Sequence, residues 1–242
     1  MAHPMIIAHR GASYLAPENT VAAAKLAWEL GADAVEIDVY LASDNQVVAI
    51  HDKDTKRVTG GKNTMVVKNT PSLVLRNLDV GSWKDPKYKG EKIPFLSEII
   101  ATVPEGKFLV VEIKTESEIL PHLKRIIERS GKLDQMIFIA FDWKTILNTQ
   151  KEFPDNKCYW LSSNKSGVSA RIKPAAEAGL AGINLHYNII DQDIVAQAAA
   201  HNLEVLTWTV NDPEIGKKMV ELGVKAITTD RPNWLKEEME KL

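Results

Sequence analysis

The chain has 242 residues, of which 45% are apolar and 26% are charged, and its formal net charge is −2. This composition is ordinary for a globular protein, and the length suits one α/β barrel or two small domains. The charge excludes a general attraction to nucleic acid or to an anionic membrane, so neither is expected as a partner. An anionic small-molecule substrate would need a local cluster of positive charge.

No apolar stretch approaches the roughly 20 residues that a membrane-spanning helix needs, so stable membrane insertion is not expected. The first apolar run, residues 5–8, is followed by His9 and Arg10 and is too short for a signal-peptide core. Cys158 is the only cysteine, which rules out an internal disulfide. These features predict a cytoplasmic protein.

Short apolar runs rich in β-branched residues alternate with longer segments of helical spacing along most of the chain. Barrel strands are predicted near 5–9, 34–39, 107–113, 135–140, 157–161, 181–185, 204–210 and 225–228. Helices are predicted over 21–30, 118–129, 143–151, 168–178, 190–201, 213–222 and 233–241. This alternation implies parallel strands, because each return to a parallel strand needs a crossover.

The strand–helix units predict a closed (β/α)8 TIM barrel, and a doubly wound open sheet is the alternative. We favour the barrel because eight units are present and no Gly-x-Gly-x-x-Gly turn follows the first strand. Residues 1–242 are expected to form a single catalytic domain.

One segment, at about 45–94 after the second barrel strand, is too long for a single crossover. It contains a further predicted strand at 46–50, and a helix over 95–102 then returns to the barrel. Long insertions in barrels usually lie over the active-site face, so this segment is predicted to shape the pocket. A contact in a possible homodimer is the alternative.

Three carboxylates lie near the ends of predicted strands. Glu36 and Asp38 are two residues apart, so their side chains share a face, and Glu112 ends the next core strand. Carboxylates on a strand buried on both sides repel each other and lose hydration, and a divalent cation removes both costs. Neutralisation by Arg or Lys at the barrel rim is the alternative. Their convergence on one mouth favours one hard cation, Mg²⁺ or Ca²⁺.

Two histidines and two cationic side chains accompany these acids. His9 ends the first strand and His51 ends the inserted strand, and imidazoles exchange protons near neutral pH, so both are candidate catalysts. Arg10 and Lys114, added to three carboxylates and one divalent cation, produce a net charge of +1. That charge balances one phosphodiester, and both cations would counter charge that develops on phosphorus.

Other polar and aromatic residues at strand ends are less specific. Phe141 and Trp208 end the fourth and seventh core strands, and they either form an apolar wall for the substrate or belong to the core. Asn184 and His186 share a face near the end of the sixth core strand, where a site role and a structural role both stay open. Asp52 either turns the chain or orients the histidine before it.

Seven short phrases of this chain resemble the glycerophosphodiester phosphodiesterase family. They are His9-Arg10-Gly11, Pro17-Glu18-Asn19-Thr20, Glu36-Ile37-Asp38, His51-Asp52, Glu112-Ile113-Lys114, Trp208-Thr209-Val210-Asn211 and Thr229-Asp230-Arg231-Pro232. Each phrase alone is weak, but their order and spacing are specific and cover essentially the whole chain. One departure is Ala140, where family members often have Ser.

The resemblance implies a TIM barrel with a segment inserted after the second strand. It also implies roles for seven residues: cation ligation by Glu36, Asp38 and Glu112, acid–base catalysis by His9 and His51, and phosphate contacts by Arg10 and Lys114. The implied reaction is metal-dependent hydrolysis of glycerophosphodiesters, which are deacylated phospholipids, to sn-glycerol 3-phosphate and an alcohol. The glycerol hydroxyl would be the internal nucleophile.

Two alternative functions stay open at this point. The first is a phosphodiesterase of the lysophospholipase D type, which would need an apolar groove for an acyl chain beside Phe141 and Trp208. The second is a barrel that binds phosphate esters without catalysis, which damage to a histidine or an acid of the site would indicate.

Overall fold

A closed barrel of eight parallel strands forms the centre of the computed structural model, which describes residues 4–241. The strands are β1 (Met5–Ala8), β2 (Ala34–Leu41), β3 (Val47–Ala49), β4 (Phe108–Ile113), β5 (Met136–Ala140), β6 (Lys157–Ser162), β7 (Gly182–His186), β8 (Glu204–Trp208) and β9 (Ala226–Thr229). Strand β1 pairs with both β9 and β2, which closes the ring, while β3 pairs antiparallel with the end of β2 outside it. The predicted TIM barrel with an insertion after its second strand is confirmed.

Helices separate the strands and cover the outside of the barrel. Those of residues 4–241 are α1 (Val21–Glu29), α2 (Ser72–Leu75), α3 (Leu96–Ile100), α4 (Leu120–Ser130), α5 (Trp143–Glu152), α6 (Lys165–Glu177), α7 (Gln192–Ala200), α8 (Pro213–Glu221) and α9 (Pro232–Lys241). Helix α6 begins three residues before the predicted start at 168. The reason is that the Asn164 side chain accepts a hydrogen bond from the Ser166 N–H and caps an additional turn.

The alternation of side chains along β2 and β4 positions the acids of the site. Val35, Ile37 and Val39 of β2 pack outward in the core between the barrel and the helices, so Glu36 and Asp38 point inward. On β4, Val110 belongs to a separate apolar cluster inside the barrel, and Glu112 follows it on the same face. On both strands, the side chains that face the barrel interior are therefore apolar at first and are carboxylates near the carboxyl end.

The inserted segment between β2 and α3 has a small core of its own. This core contains buried apolar residues that do not join the main clusters, among them Val48, Ile50, Val58, Leu75 and Ile93. Because the segment leaves and rejoins the barrel at the carboxyl end of β2, it lies beside the mouth. None of the helices between residues 4 and 241 has the length and apolarity that crossing a lipid bilayer requires.

Candidate active site

Glu36, Asp38 and Glu112 meet at the carboxyl ends of β2 and β4. The parallel register places Asp38 directly opposite Glu112. One carboxylate oxygen from each residue lies within 4.8 Å of the others, and all three side chains are buried. The structure thus brings together the three residues that the sequence pattern proposed as metal ligands.

Two oxygens of this cluster are buried without a hydrogen-bond partner among residues 4–241, namely Glu36 Oε1 and Asp38 Oδ1. Burial, together with the charges of Asp38 and Glu112, raises the pKa of Glu36 well above its usual range. Burial and the charge of Asp38 raise the pKa of Glu112 to about 7. Unpartnered buried oxygens are costly, and a hard divalent cation takes carboxylate oxygens as its ligands. The residues present therefore fit such an ion.

Asp38 is the carboxylate of the three that stays ionised most readily. Burial would raise the pKa of Asp38, but the charges of Lys114 and Arg10 outweigh it and hold this pKa below its ordinary value. Asn19 Nδ2 also donates to Asp38 Oδ2 at 2.8 Å, and Asn19 Oδ1 accepts from the Asp38 backbone N–H at 3.0 Å. Asn19 is not among the predicted site residues, although it lies in one of the motifs that carry the family resemblance.

Arg10 follows β1 and Lys114 follows β4, the two strands that pair with β2, so these cations lie on either side of the carboxylates. The Arg10 backbone N–H donates to Glu36 Oε2 at 2.9 Å, and its Nε lies 3.2 Å from Asp38 Oδ2. Lys114 Nζ donates to Glu112 Oε1 at 2.6 Å and lies 3.3 Å from Asp38 Oδ1, although the direction of this second contact is not that of a hydrogen bond. The structure thus places both predicted cations beside the three carboxylates.

Each of the two candidate catalytic histidines contacts a carboxylate through its Nδ1 atom. His9 Nδ1 lies 2.7 Å from Asp230 Oδ1, and His51 Nδ1 lies 2.7 Å from Asp52 Oδ1. An ionised carboxylate only accepts, so Nδ1 carries the hydrogen in both rings and Nε2 is left for another partner. This contact resolves the open question about Asp52, which orients His51.

The carboxylates that hold the histidines are themselves ionised. Partial burial would raise the pKa of Asp52, but hydrogen bonds from Arg57 and His51 outweigh it and lower the value to about 2. Burial also opposes ionisation of Asp230, yet its hydrogen bond with His9 and further bonds from Asn211 and Ser13 lower its pKa. Burial lowers the pKa of His51, which makes its imidazolium a stronger acid.

A cavity of about 240 Å³ lies over the cluster, and eight of the nine predicted site residues line it. These are His9, Arg10, Glu36, His51, Glu112, Lys114, Phe141 and Trp208. The ninth, Asp38, is buried below the surface of the cavity with 1% of its area exposed. The Phe141 and Trp208 rings meet edge to face with centroids 5.4 Å apart, and Phe141 is 43% exposed at the mouth. The two rings form one apolar wall of this cavity.

Asn184 and His186, whose roles the sequence left open, differ in the structure. Asn184 lines the cavity, and its buried Oδ1 atom has no hydrogen-bond partner within the described part of the chain. His186 instead accepts a hydrogen bond from the Asn188 N–H at 3.3 Å and stacks on Tyr187 with centroids 4.5 Å apart. Asn184 is therefore a candidate substrate contact, whereas His186 does not line the cavity but packs edge to face against the Trp208 ring, with centroids 5.1 Å apart.

A larger cleft of about 740 Å³ lies beside this cavity, and His51 and Lys114 line both spaces. The other lining residues come mostly from the inserted segment: Tyr40, Asp52, Lys53, Asp54, Lys56, Arg57, Gly60 and Gly61. The inserted segment thus lines a second, larger space beside the cavity over the carboxylates.

Comparison with known proteins matches residues 9–234 to the model of the glycerophosphoryl diester phosphodiesterase family. The chain belongs to this family. It is 32% identical to the YhdW protein of Bacillus subtilis over 238 residues, which span 95% of this chain and 96% of that protein. It is 31% identical to a glycerophosphodiester phosphodiesterase of Caldanaerobacter subterraneus over 236 residues, with 96% of each chain covered.

A solved structure of an Oleispira antarctica phosphodiesterase, in complex with the product sn-glycerol-3-phosphate, has the same fold. It is 30% identical, its TM-score is 0.91, and the match covers 98% of this chain and 97% of that one. Membership of the glycerophosphoryl diester phosphodiesterase family confirms the predicted class of enzyme, a phosphoric diester hydrolase that acts on glycerophosphodiesters.

Proposed function

We propose that this chain hydrolyses glycerophosphodiesters to sn-glycerol 3-phosphate and an alcohol, with one divalent cation and two histidines, and that it acts as a single catalytic domain. The observation that carries the proposal is the cluster of three buried carboxylates, two of whose oxygens accept no hydrogen bond from residues 4–241, beneath a cavity lined by two cations and two histidines. The product in the Oleispira antarctica complex supports the choice of substrate.

Glu36, Asp38 and Glu112 would hold the cation, Mg²⁺ or Ca²⁺. Bound there, the ion would polarise a phosphoryl oxygen and offset the charge that develops on it. Arg10 and Lys114 would contact the other phosphoryl oxygens, because both side chains line the cavity beside the carboxylates that would hold the cation. Preorganised cations of this kind are worth more in a buried site than in water.

His9 and His51 would divide the proton transfers between them. His51 lines both the cavity over the carboxylates and the large cleft, which has room for a variable alcohol. We therefore assign to His51 Nε2 the proton that the leaving alcohol oxygen receives, and to His9 Nε2 the proton that the attacking hydroxyl loses. In the route that the family resemblance implies, that hydroxyl belongs to the glycerol, and the phosphorus–oxygen bond to the alcohol breaks as the new one forms. Water then opens the cyclic phosphate with the two roles reversed.

The glycerol end of the substrate would lie in the enclosed cavity. The Phe141 and Trp208 rings would contact its carbon atoms, and the free Oδ1 atom of Asn184 would accept a hydrogen bond from a glycerol hydroxyl. These residues address only the glycerol phosphate that all such substrates share.

A panel of choline, ethanolamine, inositol and glycerol diesters, assayed after chelation and after addition of each cation, tests the proposal. Turnover should vanish on chelation and return with Mg²⁺ or Ca²⁺, and the product should be sn-glycerol 3-phosphate. Tight binding of these diesters without turnover in the presence of either ion would contradict it and support a non-catalytic binder.

A second candidate substrate is a lysophospholipid that keeps one acyl chain. The exposed Phe141 ring at the mouth of the cavity is the observation that favours it, since an acyl chain could lie against it. Product analysis separates the two activities, because this reaction releases lysophosphatidate instead of glycerol phosphate.

A further inference from the structure

Arg57, in the inserted segment, uses its guanidinium to hold two carboxylates at once. Its Nη1 and Nη2 atoms donate to Glu18 Oε2 and Oε1 at 2.5 and 2.9 Å. Its Nε and Nη2 atoms donate to Asp52 Oδ2 and Oδ1 at 2.8 and 3.1 Å. Both contacts are bidentate, a geometry that arginine provides and lysine does not.

Each of these carboxylates contacts a different residue of the proposed catalytic machinery. Glu18 Oε1 accepts from Arg10 Nη1 at 3.0 Å, so it holds the side chain assigned to the phosphate. Asp52 Oδ1 contacts His51 Nδ1 at 2.7 Å, so it holds the imidazole assigned to the leaving alcohol. Arg57 is the common partner of both pairs.

The chain of contacts joins two separate parts of the fold. Glu18 belongs to the loop between β1 and α1, whereas Asp52 and Arg57 belong to the segment after β3. Burial would raise the pKa of Glu18, but hydrogen bonds from Arg57 and the charge of Arg10 outweigh it and lower this pKa. The carboxylate therefore stays ionised at the junction between the loop and the inserted segment.

We propose that Arg57 is a positioning residue that sets the geometry of Arg10 and His51 together and thereby couples phosphate binding to protonation of the leaving group. It does not contact the reacting atoms, and it acts through Glu18 and Asp52. The inference rests on the proposed function for the roles of Arg10 and His51.

Loss of Arg57 should impair both phosphate binding by Arg10 and protonation of the leaving group by His51. Both carboxylates would lose their bidentate partner, and among residues 4–241 Glu18 would keep only Arg10 as a cationic partner and Asp52 only His51. Small displacements of catalytic groups reduce rates steeply, and about 1 Å can cost on the order of 10²-fold. A role in stability alone would lower the melting temperature and the active fraction but leave KM unchanged.

The experiment compares kcat and KM of the purified wild type, Arg57→Ala and Arg57→Lys on a glycerophosphodiester with saturating cation. We expect Arg57→Ala to raise KM and lower kcat, with a combined loss of about 30- to 100-fold in kcat/KM. Glu18→Gln should mainly raise KM, and Asp52→Asn should mainly lower kcat. Arg57→Lys should lie between the wild type and Arg57→Ala, and it serves as the test variant if Arg57→Ala does not fold.

A thermodynamic cycle decides whether Arg57 acts through its two partners. In a Glu18→Gln/Asp52→Asn protein, adding Arg57→Ala should change kcat/KM by less than about twofold, because coupled residues are not additive. Fully additive losses, or a single Arg57→Ala variant whose kcat and KM stay within about twofold of the wild type, would overturn the inference.

Arg76 provides a matched control within the same inserted segment. It also donates two hydrogen bonds to one carboxylate, that of Glu98, but this pair does not contact the site. Arg76→Lys should leave KM and kcat unchanged even where it lowers the melting temperature.

A spectroscopic readout keeps this inference separate from the proposed function. The hydrogen-bonded Nδ1–H of His51, assigned in proton NMR spectra with a His51→Gln variant, should weaken or disappear in Arg57→Ala and persist in Arg76→Lys. If the wild type does not turn over any diester, the proposed function fails, and this signal still decides the positioning role. A signal unchanged in Arg57→Ala would overturn that role.

Discussion

At the scale of single residues, each proposed proton-transfer histidine has a carboxylate partner at the Nδ1 edge of its ring. The Nδ1 contacts of His9 and His51 with Asp230 and Asp52 set the tautomer and direct Nε2 away from the carboxylate. Such contacts restrict the ring, so a histidine can act as acid or base without first finding its orientation. The proton therefore leaves or arrives at a defined atom.

Replacement of His51 tests this assignment most directly. His51→Ala should lower kcat by at least about 10²-fold, because a positioned acid typically contributes that much to a rate. The fold should be retained, since His51 lies at the mouth and is only partly buried. His201→Ala, at an exposed position after α7, is the control and should have the kinetics of the wild type. Full activity of His51→Ala would refute the role.

The pKa of Glu112 makes stability depend on pH when no divalent cation is present. Burial raises this pKa from 4.5 to about 7, so the folded protein binds a proton that the unfolded chain has already released in this range. The stabilisation is complete below about pH 4.5 and is lost as the pH rises to about 7. The loss of unfolding free energy over the whole interval amounts to about 3–4 kcal/mol, because each pKa unit is worth about 1.4 kcal/mol.

Denaturation of the wild type and Glu112→Gln in a chelator, at pH 5 and pH 7.5, tests the contribution of Glu112 together with the effect of its charge on Glu36. The stability of the wild type relative to the variant should decline over this interval, and saturating Mg²⁺ or Ca²⁺ should abolish the decline, because ligation holds the carboxylate ionised. The lowered pKa of His51 acts in the opposite direction but is common to both proteins. Parallel curves in the chelator would count against a perturbed Glu112.

At the scale of elements, the turn after β1 depends on close packing against α1. Gly11 has a φ of +80°, and a Cβ at this position would lie 2.6 Å from the Ala23 carbonyl carbon. The preceding residue, Arg10, donates its backbone N–H to Glu36, so a shift of the turn also moves the proposed phosphate contact.

Gly11→Ala should therefore destabilise the fold by about 2–4 kcal/mol and also reduce kcat/KM in the folded fraction. Gly31→Ala is a matched control, because Gly31 has a φ of +79° but nothing within 4 Å of the added Cβ. The free energy of unfolding of that variant should fall by only about 1 kcal/mol, because alanine is disfavoured in a left-handed backbone conformation, and its activity should be unchanged. Thermal denaturation and steady-state kinetics measure both effects, and equal losses in the two variants would disprove the packing argument.

The regular elements explain why the sequence predicted the acids of the site but not all of their partners. Period-two alternation places Glu36 and Asp38 on one face of β2, and parallel pairing brings Glu112 of β4 to the same end. Arg57 lies in an irregular segment without periodicity, so its contact with Glu18, 39 residues earlier, depends on tertiary structure alone. The contact of Asp230 with His9 could have been predicted from the sequence, because closure of the barrel places the residue after β9 beside the end of β1.

At the scale of the whole molecule, the barrel and the inserted segment would each bind one part of the proposed substrate. The enclosed cavity is lined by strand ends and would hold the glycerol phosphate, while the larger cleft is lined mainly by the inserted segment and would hold the alcohol. A barrel strand can be predicted from its pattern, but the chemistry of such a cleft depends on which loop residues face it. The choice of alcohol should therefore be set outside the predicted motifs.

The charges of the cleft predict a preference among alcohols. Arg57 and Lys114 are committed to carboxylates, but Lys53 and Lys56 are exposed and have no ion-pair partner among residues 4–241. A substrate whose alcohol carries a second phosphate should be attracted to the cleft by these two lysines, whereas one with the cationic choline group should not. The gain should shrink as salt is added, because exposed charges are screened over about 8–10 Å at 0.10–0.15 M ionic strength.

Lys53→Glu/Lys56→Glu should therefore lower kcat/KM for bis(glycerophospho)glycerol relative to glycerophosphocholine by about 3- to 10-fold at low ionic strength. The comparison is a ratio of two substrates on one protein, so a loss of active enzyme cancels. Lys68→Glu/Lys92→Glu changes the same net charge at exposed positions of the inserted segment outside the cleft, and it should leave the ratio unchanged. If both double variants shift the ratio equally, net charge and not the cleft sets the preference. If neither shifts it, the alcohol does not lie near Lys53 and Lys56.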